Sequence, residues 1–141
     1  MADVPTSWNE VATQLSKSSS VVLNSLGEGV IEFDPDSGNQ RWEVTGVVVS
    51  TNQPATATTI PVATNALNCP FAAQLNQSNT RGATWSANQD QWSGGTIDVS
   101  PADSFCVVFT PPAGLSGTAI APLVGVTAYA TVTGTKYTRR S

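Results

Sequence analysis

The sequence predicts an all-β protein, a single antiparallel β-sandwich of jelly-roll type with a short helical arm at its N-terminus. The first observation is the spacing of turn residues, because Gly, Pro, Asn and Asp separate about eight short apolar segments after residue 20. The second is the alternation of small apolar residues with Thr and Tyr in the last of these segments. The third is length, since 141 residues are enough for one domain with its own core.

Residues 1–19 are predicted to form the arm. Ser7 and Glu10 have the spacing of a capping box, in which each side chain satisfies a backbone N–H at the start of a helix. The apolar residues after that cap follow helical spacing on one stripe, at Trp8, Val11, Ala12 and Leu15. A helix of two turns is not stable alone, so the stripe must dock either on its own domain or on a neighbouring subunit. The residues leave both alternatives open.

The sandwich is predicted to span residues 20–135. Apolar or alternating runs between turn residues predict the first four strands at 20–24, 29–33, 40–51 and 56–64. Pro61 confines the fourth of them to a sheet edge, because proline has no N–H for the ladder. The same signals predict later strands at 96–100, 104–109, 120–126 and 127–135. A polar insert at 76–95 separates the two groups, and 136–141 is a basic tail.

Composition excludes most enzymes and nucleic-acid-binding proteins. The chain has no His, which removes Ser-His-Asp triads and imidazole metal ligands. Charged residues make up only 11% and the net charge is −4, so a basic face for phosphate is not expected. No apolar run is long enough for a membrane span, and the first residues lack the pattern of a signal peptide. We therefore expect a protein made in the cytoplasm, with no catalytic residue, no metal, no cofactor, and neither nucleic acid nor membrane as a partner.

The two cysteines do not have the spacing of a zinc site or a disulfide scaffold. Cys106 lies in the apolar run 105–109, where a thiol behaves as a small hydrophobic group. Cys69 precedes Pro70 in a predicted loop. The missing secretion signal favours free thiols, although a disulfide between the two remains open.

Acidic residues are the remaining candidates for chemistry. The segment 34–39 begins like a calcium loop but lacks the later ligands, so a hairpin turn is the simpler interpretation. Glu32 and Glu43 flank this turn, and together with Glu28 they could supply an acid–base pair for glycoside hydrolysis. Carboxylates on the solvent face of strands are common, however, and the chain has few residues with which to build a cleft. We therefore expect these acids to be solvated.

The polar insert contains the strongest candidate for ligand recognition. Trp85 and Trp92 flank a stretch that includes Asn88 and Asp90, and sugar-binding modules use exposed aromatic rings ringed by such groups. The simpler interpretation is a loop attached to the sandwich by two indoles, which usually bury their apolar bodies. A carbohydrate-binding module that contacts the host envelope therefore stays as an alternative function.

Two stretches of the sequence resemble a family. An apolar strand and a Pro/Gly turn lead into Arg41-Trp-Glu-Val-Thr45, and Val99-Ser-Pro-Ala-Asp-Ser-Phe105 follows later, before a Thr/Val/Gly-rich final strand. Over residues 22–134 this pattern resembles small β-sandwich structural proteins of tailed phages of actinobacteria. The resemblance implies a virion protein, foremost a capsid decoration protein on the outer surface of the shell. A minor tail or head–tail accessory protein is the alternative within the family.

The resemblance also implies protein partners, either the major capsid protein or tail proteins, and a homo-oligomer such as a trimer. The predicted contact with the shell or a sister copy comprises apolar residues of the arm and of the first strand, Trp8, Val11, Leu15, Val21, Val22 and Leu23. The two ends of the chain differ in charge, because seven of the ten acidic residues precede residue 44 while the tail is basic. Oppositely charged ends suit head-to-tail contacts between copies, although two ends that only face solvent are the simpler interpretation.

Overall fold

Nine strands and two 3₁₀ segments make up the regular structure of the described residues, which are 10–76, 80–87 and 90–139 of a computed structural model. The strands are β1 (Glu10–Val22), β2 (Gly29–Phe33), β3 (Gln40–Thr51), β4 (Val62–Leu67), β5 (Thr80–Ser86), β6 (Asp90–Trp92), β7 (Ile97–Val99), β8 (Phe105–Thr110) and β9 (Thr127–Arg139). The 3₁₀ segments are Ala72–Gln74 and Gly117–Leu123.

The strands form two antiparallel sheets with jelly-roll connectivity. In the first, sheet A, the order is β1-β9-β3-β6, and β7 pairs with β3 beside β6. In the second, sheet B, the order is β2-β8-β4-β5. β1 therefore pairs with β9, β2 with β8 and β3 with β7, while β4 pairs with β5 in a hairpin, which is the nested pairing of a jelly roll. The predicted all-β sandwich is confirmed.

The core lies between the two sheets and is built from alternate residues of each strand. Sheet A contributes Trp42 and Val44 of β3 together with Ala130 and Val132 of β9, all buried. Trp42 donates a hydrogen bond of 2.9 Å from Nε1 to Oε1 of Gln40, so its polar atom is satisfied inside the protein. The neighbours of these residues along β3 and β9 point to the outer side of the sheet, because successive side chains alternate between faces.

The predicted N-terminal helix is wrong over the described residues. Residues 10–22 form β1, which pairs with β9 from Glu10 opposite Arg139 to Val22 opposite Thr127. Val11 and Leu15 are four residues apart, a spacing that shares one face in a helix and in a strand alike. The hydrogen bonds to β9 and the burial of Leu15 therefore outweigh a weak local pattern. Ser7 and Trp8 lie outside the described residues.

The predicted strand at 120–126 is also wrong. Its first half belongs to the 3₁₀ segment Gly117–Leu123, which contains Pro122. Proline has no N–H to donate to a sheet, and Gly125 has a φ of 80°, which a strand does not use. The segment covers one end of the sandwich, where Leu123 is buried in the core.

A disulfide joins Cys69 to Cys106, so the free thiols favoured by the sequence are not found. The register brings them together, because β4 pairs with β8 up to Leu67 opposite Phe105, and the two Cα atoms of the cysteines are 5.1 Å apart. The bridge holds the 68–76 segment over the outer side of sheet B. Side chains on that side are consequently buried although they point away from the main core: Thr64, Ala66, Cys106 and Val108.

Candidate functional site: the uncharged outer face of sheet A

The outer side of sheet A has a patch of small hydroxyl side chains around one exposed tyrosine. We call it the hydroxyl face and define it as Ser16, Ser18, Ser20, Val48, Ser50, Tyr129, Thr131 and Thr133. The register of three long strands builds it, since Ser20 and Ser50 flank Tyr129 while Ser18 and Val48 flank Thr131. The Ser18 and Thr131 hydroxyl oxygens are 2.8 Å apart and share a hydrogen bond across the strands.

This face combines apolar exposure with an absence of charge. Tyr129 is 44% exposed and Val48 47% exposed, and they belong to adjacent rows on neighbouring strands. The remaining members are Ser or Thr, whose hydroxyl groups can both donate and accept hydrogen bonds. Covering such a surface removes no charged group from water, so the desolvation cost is small compared with that of a charged face. The arrangement therefore suits contact with another macromolecule more than chemistry on a small substrate.

A charged network borders the hydroxyl face at the end where β1 begins. The Arg41 guanidinium donates two hydrogen bonds to the Glu10 carboxylate, at 2.9 and 3.2 Å, and lies 3.7 Å from the Glu43 carboxylate. It also stacks on Tyr137, with 4.1 Å between the guanidinium carbon and the ring centroid. Hydrogen bonding to Arg41 lowers the pKa of Glu10, and the hydrogen bond with Glu43 raises the pKa of Tyr137.

A β-bulge separates this network from the hydroxyl face. The register between β3 and β9 shifts between Val44 and Gly46, opposite Gly134. Gly134 has a φ of 155°, and a Cβ atom there would overlap the Glu43 carbonyl oxygen, so only glycine fits this close approach. The bulge therefore divides this network from the hydroxyl face, whose nearest described carboxylate on the other side is Asp90 of β6, next to Val48 and Ser50.

A second ionic cluster closes the space between the sheets at the same end. Lys17 forms an ion pair with Asp36, and the Lys136 ammonium lies 3.9 Å from the same carboxylate. Lys17 also lies over the buried Trp42 ring, 5.4 Å from its centroid. The hydrogen bond from Lys17 lowers the pKa of Asp36. The predicted hairpin turn at 34–39 is therefore wrong, because β2 and β3 belong to different sheets and the segment crosses between them. Its Asp36 carboxylate binds lysines of the same chain.

The structure divides the predicted interface residues between core and surface. Leu15 and Leu23 are buried in the core of their own chain, and Val21 is half-buried against it. Val11 and Val22 are exposed at opposite ends of β1. The sheet therefore does not bring these residues together as one stripe, because β1 extends over 13 residues.

Trp85 and Trp92 do not form an exposed aromatic platform. Trp85 belongs to β5 at the edge of sheet B, Trp92 belongs to β6 at the edge of sheet A, and both are half-buried against the core. The Trp85 indole nitrogen is itself buried and has no hydrogen-bond partner among the described residues. Asp90 is exposed beside them, and Asn88 lies outside the described residues. The two indoles close the open side of the sandwich where the sheets meet.

The suggested carboxylate pair is wrong in geometry. Glu32 points to the outer side of sheet B, because Ile31 and Phe33 on either side of it are buried, whereas Glu43 points to the outer side of sheet A. The two carboxylates therefore face away from each other. A hydrogen bond with Asp34 raises the pKa of Glu32. Among the described residues, no group of three or more His, Cys, Asp or Glu side chains is placed to hold a metal ion.

The hydroxyl face was not predicted from the sequence. The alternation of Tyr129 and Thr131 with buried alanines indicates one solvent-facing side of β9. The serines of β1 could be placed beside them only through the register with β9, and the helical interpretation of β1 hid that pairing.

Comparison with known proteins gives similar solved structures but no family. No model of a protein family matches the chain, and no curated protein matches it. A chain from the acid-stable capsid structure of Helicobacter pylori bacteriophage KHP30 is similar over 94% of each chain, with 12% sequence identity and a TM-score of 0.48. Within the described ranges, no helix is both long and apolar enough to cross a membrane. Function must therefore be argued from this chain's own surfaces.

Proposed function

We propose that the protein is a structural component of a phage virion and that it decorates the capsid, binding the outer surface of the shell through the hydroxyl face. The observation that carries the proposal is the hydroxyl face of sheet A, which has no charged member and exposes Tyr129 and Val48. Aromatic residues are enriched in protein interfaces, and charged residues are depleted at interface centres. The hydroxyl face has both properties.

The architecture is compatible with this role. Jelly rolls occur in viral capsid proteins and in lectins, so the fold permits both a virion protein and a sugar-binding protein. The sugar-binding alternative was based on Trp85 and Trp92, whose indoles are half-buried against the core. The sequence resemblance to phage structural proteins over residues 22–134 supports the first alternative.

Binding at many equivalent positions lets a modest contact area suffice. A copy on a shell has neighbouring copies, and contacts between them add to the contact with the shell through avidity. Val11 and Val22 are the predicted interface residues with exposed side chains among the described residues, and they lie outside the hydroxyl face at opposite ends of the edge strand β1. They are available for contacts between neighbouring copies.

Cosedimentation tests the proposal. Purified protein is mixed with heads and, separately, with tails of a phage that encodes this sequence, and the pellets are assayed. We expect saturable binding to heads at a fixed number of copies per shell protein. Binding to tails alone would instead make the protein a tail accessory component, and binding to neither would reject a virion role.

A matched pair of variants locates the contact. Tyr129→Asp places a charge at the centre of the hydroxyl face, and Thr118→Asp places the same charge in the exposed 3₁₀ segment at one end of the sandwich. We expect the first variant to lose head binding by at least about tenfold, because an interface centre tolerates an unpaired charge poorly, and the second to bind like the natural sequence. Equal binding by both variants would exclude the hydroxyl face as the contact.

A further inference from the structure

A groove with acidic and apolar walls runs beside β2, on the side of the molecule where sheet B ends. We call it the acidic groove, a space of about 390 Å³ whose walls include Val22, Glu28, Val30, Glu32 and Phe71. β2 is the edge strand of sheet B, and its free side makes no backbone hydrogen bond with any described residue. The groove thus offers unpaired N–H and C=O groups as well as side chains, which is the surface that strand addition uses.

Two apolar side chains in the walls of the groove are strongly exposed to solvent. Phe71 is 66% exposed and Val22 is 61% exposed, the largest values among the exposed large hydrophobic side chains of the described residues. The Cys69–Cys106 disulfide fixes the segment that carries Phe71 against β8. An exposed apolar surface on a rigid frame is typical of a binding site for another protein.

The charge of the groove is negative and uncompensated. Glu28 and Glu32 are the only charged residues that line it, and neither forms an ion pair with a described residue. Asp34 contacts Glu32 and adds a third carboxylate next to the groove. The partner that matches this charge is a segment with cationic side chains.

The chain itself contains such a segment at its other end. β9 finishes at Arg139, and the sequence continues with Arg140 and Ser141. Arg139 is exposed and its backbone N–H and carbonyl oxygen are held by Asn39, so its position is fixed while its side chain points to solvent. Arg139 lies opposite Glu10, the first residue of β1, whereas Val22 of the groove is the last residue of β1. At roughly 3.4 Å per residue these ends are about 40 Å apart, so a chain cannot fill its own groove.

We propose that the acidic groove binds the basic C-terminal end of a second copy of this chain. The cationic side chains of Arg139 and Arg140 of one copy pair with Glu28 and Glu32 of the next, while the Arg139 backbone stays bound in its own sheet. Since the two surfaces are different, the contact is heterologous and builds head-to-tail rings or rows. It uses neither Tyr129 nor any other member of the hydroxyl face, so it is independent of the capsid proposal and leaves that face free.

Two charge-reversal variants test the contact by mixing. Glu28→Lys/Glu32→Lys destroys the groove but keeps the basic end, and Arg139→Glu/Arg140→Glu does the reverse. We expect the natural chain to form multiples of 14.6 kDa in sedimentation velocity at about 0.01 M ionic strength and to dissociate at about 1 M, where the Debye length is only about 3 Å. Each variant alone should remain a monomer. Their mixture should form a dimer that grows no further, because it has one intact groove and one intact basic end in contact.

Three results would overturn the proposal: a monomeric natural chain at millimolar concentration in low salt, association that survives either variant, or a mixture that stays monomeric. Circular dichroism first confirms that both variants fold. If either does not, the neutral changes Glu28→Gln/Glu32→Gln and Arg139→Gln/Arg140→Gln replace them, and each must lower the association constant at least about tenfold, the loss of one good ion pair of about 1.4 kcal/mol. Thr118→Asp, on an exposed residue outside the acidic groove and the hydroxyl face, serves as the control and must associate like the natural chain.

Discussion

The two sheets differ in what happens on their outer sides. On sheet A the outer side is open, and Val48 and Tyr129 are nearly half exposed. On sheet B the corresponding side is covered by the 68–76 segment, and Val108 is fully buried although it points away from the main core. The centre of sheet B, at β4 and β8, is therefore buried on both sides and serves as the framework, while the centre of sheet A keeps one side available for a partner.

The sequence carries this difference in its patterning. β9 alternates buried Ala128, Ala130 and Val132 with Tyr and Thr, as a strand with one wet side does. β8 reads Phe-Cys-Val-Val-Phe without alternation, and all five residues are buried. The patterns of these two strands thus predict two different surroundings.

The largest effect is expected from placing a charge on each outer side in turn. Val108→Asp buries a carboxylate with no partner, at a cost of about 3–5 kcal/mol, and loses about 2 kcal/mol of apolar burial. This approaches the total stability of a small domain, so the variant should be largely unfolded by circular dichroism. Val48→Asp should change the free energy of unfolding by less than about 0.5 kcal/mol. Similar losses in both variants would mean that the two outer sides do not differ.

Removing the disulfide is the next largest change. The bridge closes a loop between residues 37 positions apart, and the loop-entropy relation gives a stabilisation of about 4 kcal/mol. Cys69→Ser/Cys106→Ser should lower the urea midpoint and make Thr64 and Ala66 exchange amide hydrogens faster, because the cover of sheet B loosens. The backbone amides of β9 beside the hydroxyl face should exchange faster only to the extent that global unfolding becomes more frequent. Unchanged protection of β4 would contradict the covering role of the 68–76 segment.

A pair of changes in β1 separates its buried residue from its exposed one. Leu15→Ala should cost about 3 kcal/mol, since Leu15 is fully buried between the sheets, and Val11→Ala less than about 1 kcal/mol. A helix docked by its stripe would lose stability in both variants. Chemical denaturation of the two variants therefore distinguishes the strand from the predicted helix.

The smallest effect is the pH dependence of the free energy of unfolding, which has opposite signs for Asp36, in the 34–39 segment, and Glu32, on β2. Lys17 lowers the pKa of Asp36, so this pair stabilises the fold above the ordinary pKa of Asp and the contribution is lost as pH falls through the lowered value. Asp34 raises the pKa of Glu32, so the contribution of Glu32 is present at low pH and is lost as pH rises through the raised value. At neutral pH, Asp36→Asn should lower the free energy of unfolding by about 0.5 kcal/mol, because the pair is exposed, whereas Glu32→Gln should raise it slightly.

The effects of Asp36→Asn and Glu32→Gln on the free energy of unfolding should both vanish at a pH low enough to protonate the two carboxylates in the folded and the unfolded chain. Asp98→Asn, on an exposed residue that forms no ion pair with the described part of the chain, is the control. A stabilising Asp36→Asn or a destabilising Glu32→Gln at neutral pH would contradict the assigned contacts.

The sequence predicted the class of fold because strand alternation and turn residues are local signals. It failed where a contact between distant residues decides the outcome. Leu15 is compatible with a helix until β9 is known to pair with it, and Cys69 approaches Cys106 only through the register of β4 with β8. Glu32 and Glu43 flank one turn in the sequence, yet their strands belong to different sheets and point the two carboxylates apart.

The same reasoning explains why the candidate site was missed. The predicted surface residues were large and apolar, and the fold used Leu15, Leu23 and both tryptophans of the insert for its own core. The proposed contact surface consists instead of small polar side chains from three strands that are far apart in sequence. Single-sequence patterns cannot identify such a surface, because no segment of the chain contains more than a part of it.

Hydroxyl-radical footprinting of the protein bound to phage heads, read by mass spectrometry, tests the central claim most directly. If the hydroxyl face is the contact, oxidation of Tyr129 should fall at least about fivefold on binding, in keeping with the burial expected at an interface centre. Tyr137, which stacks on Arg41 beyond the bulge, provides the internal reference on the same sheet. Oxidation of Tyr129 at the same rate in free and head-bound protein would contradict the account.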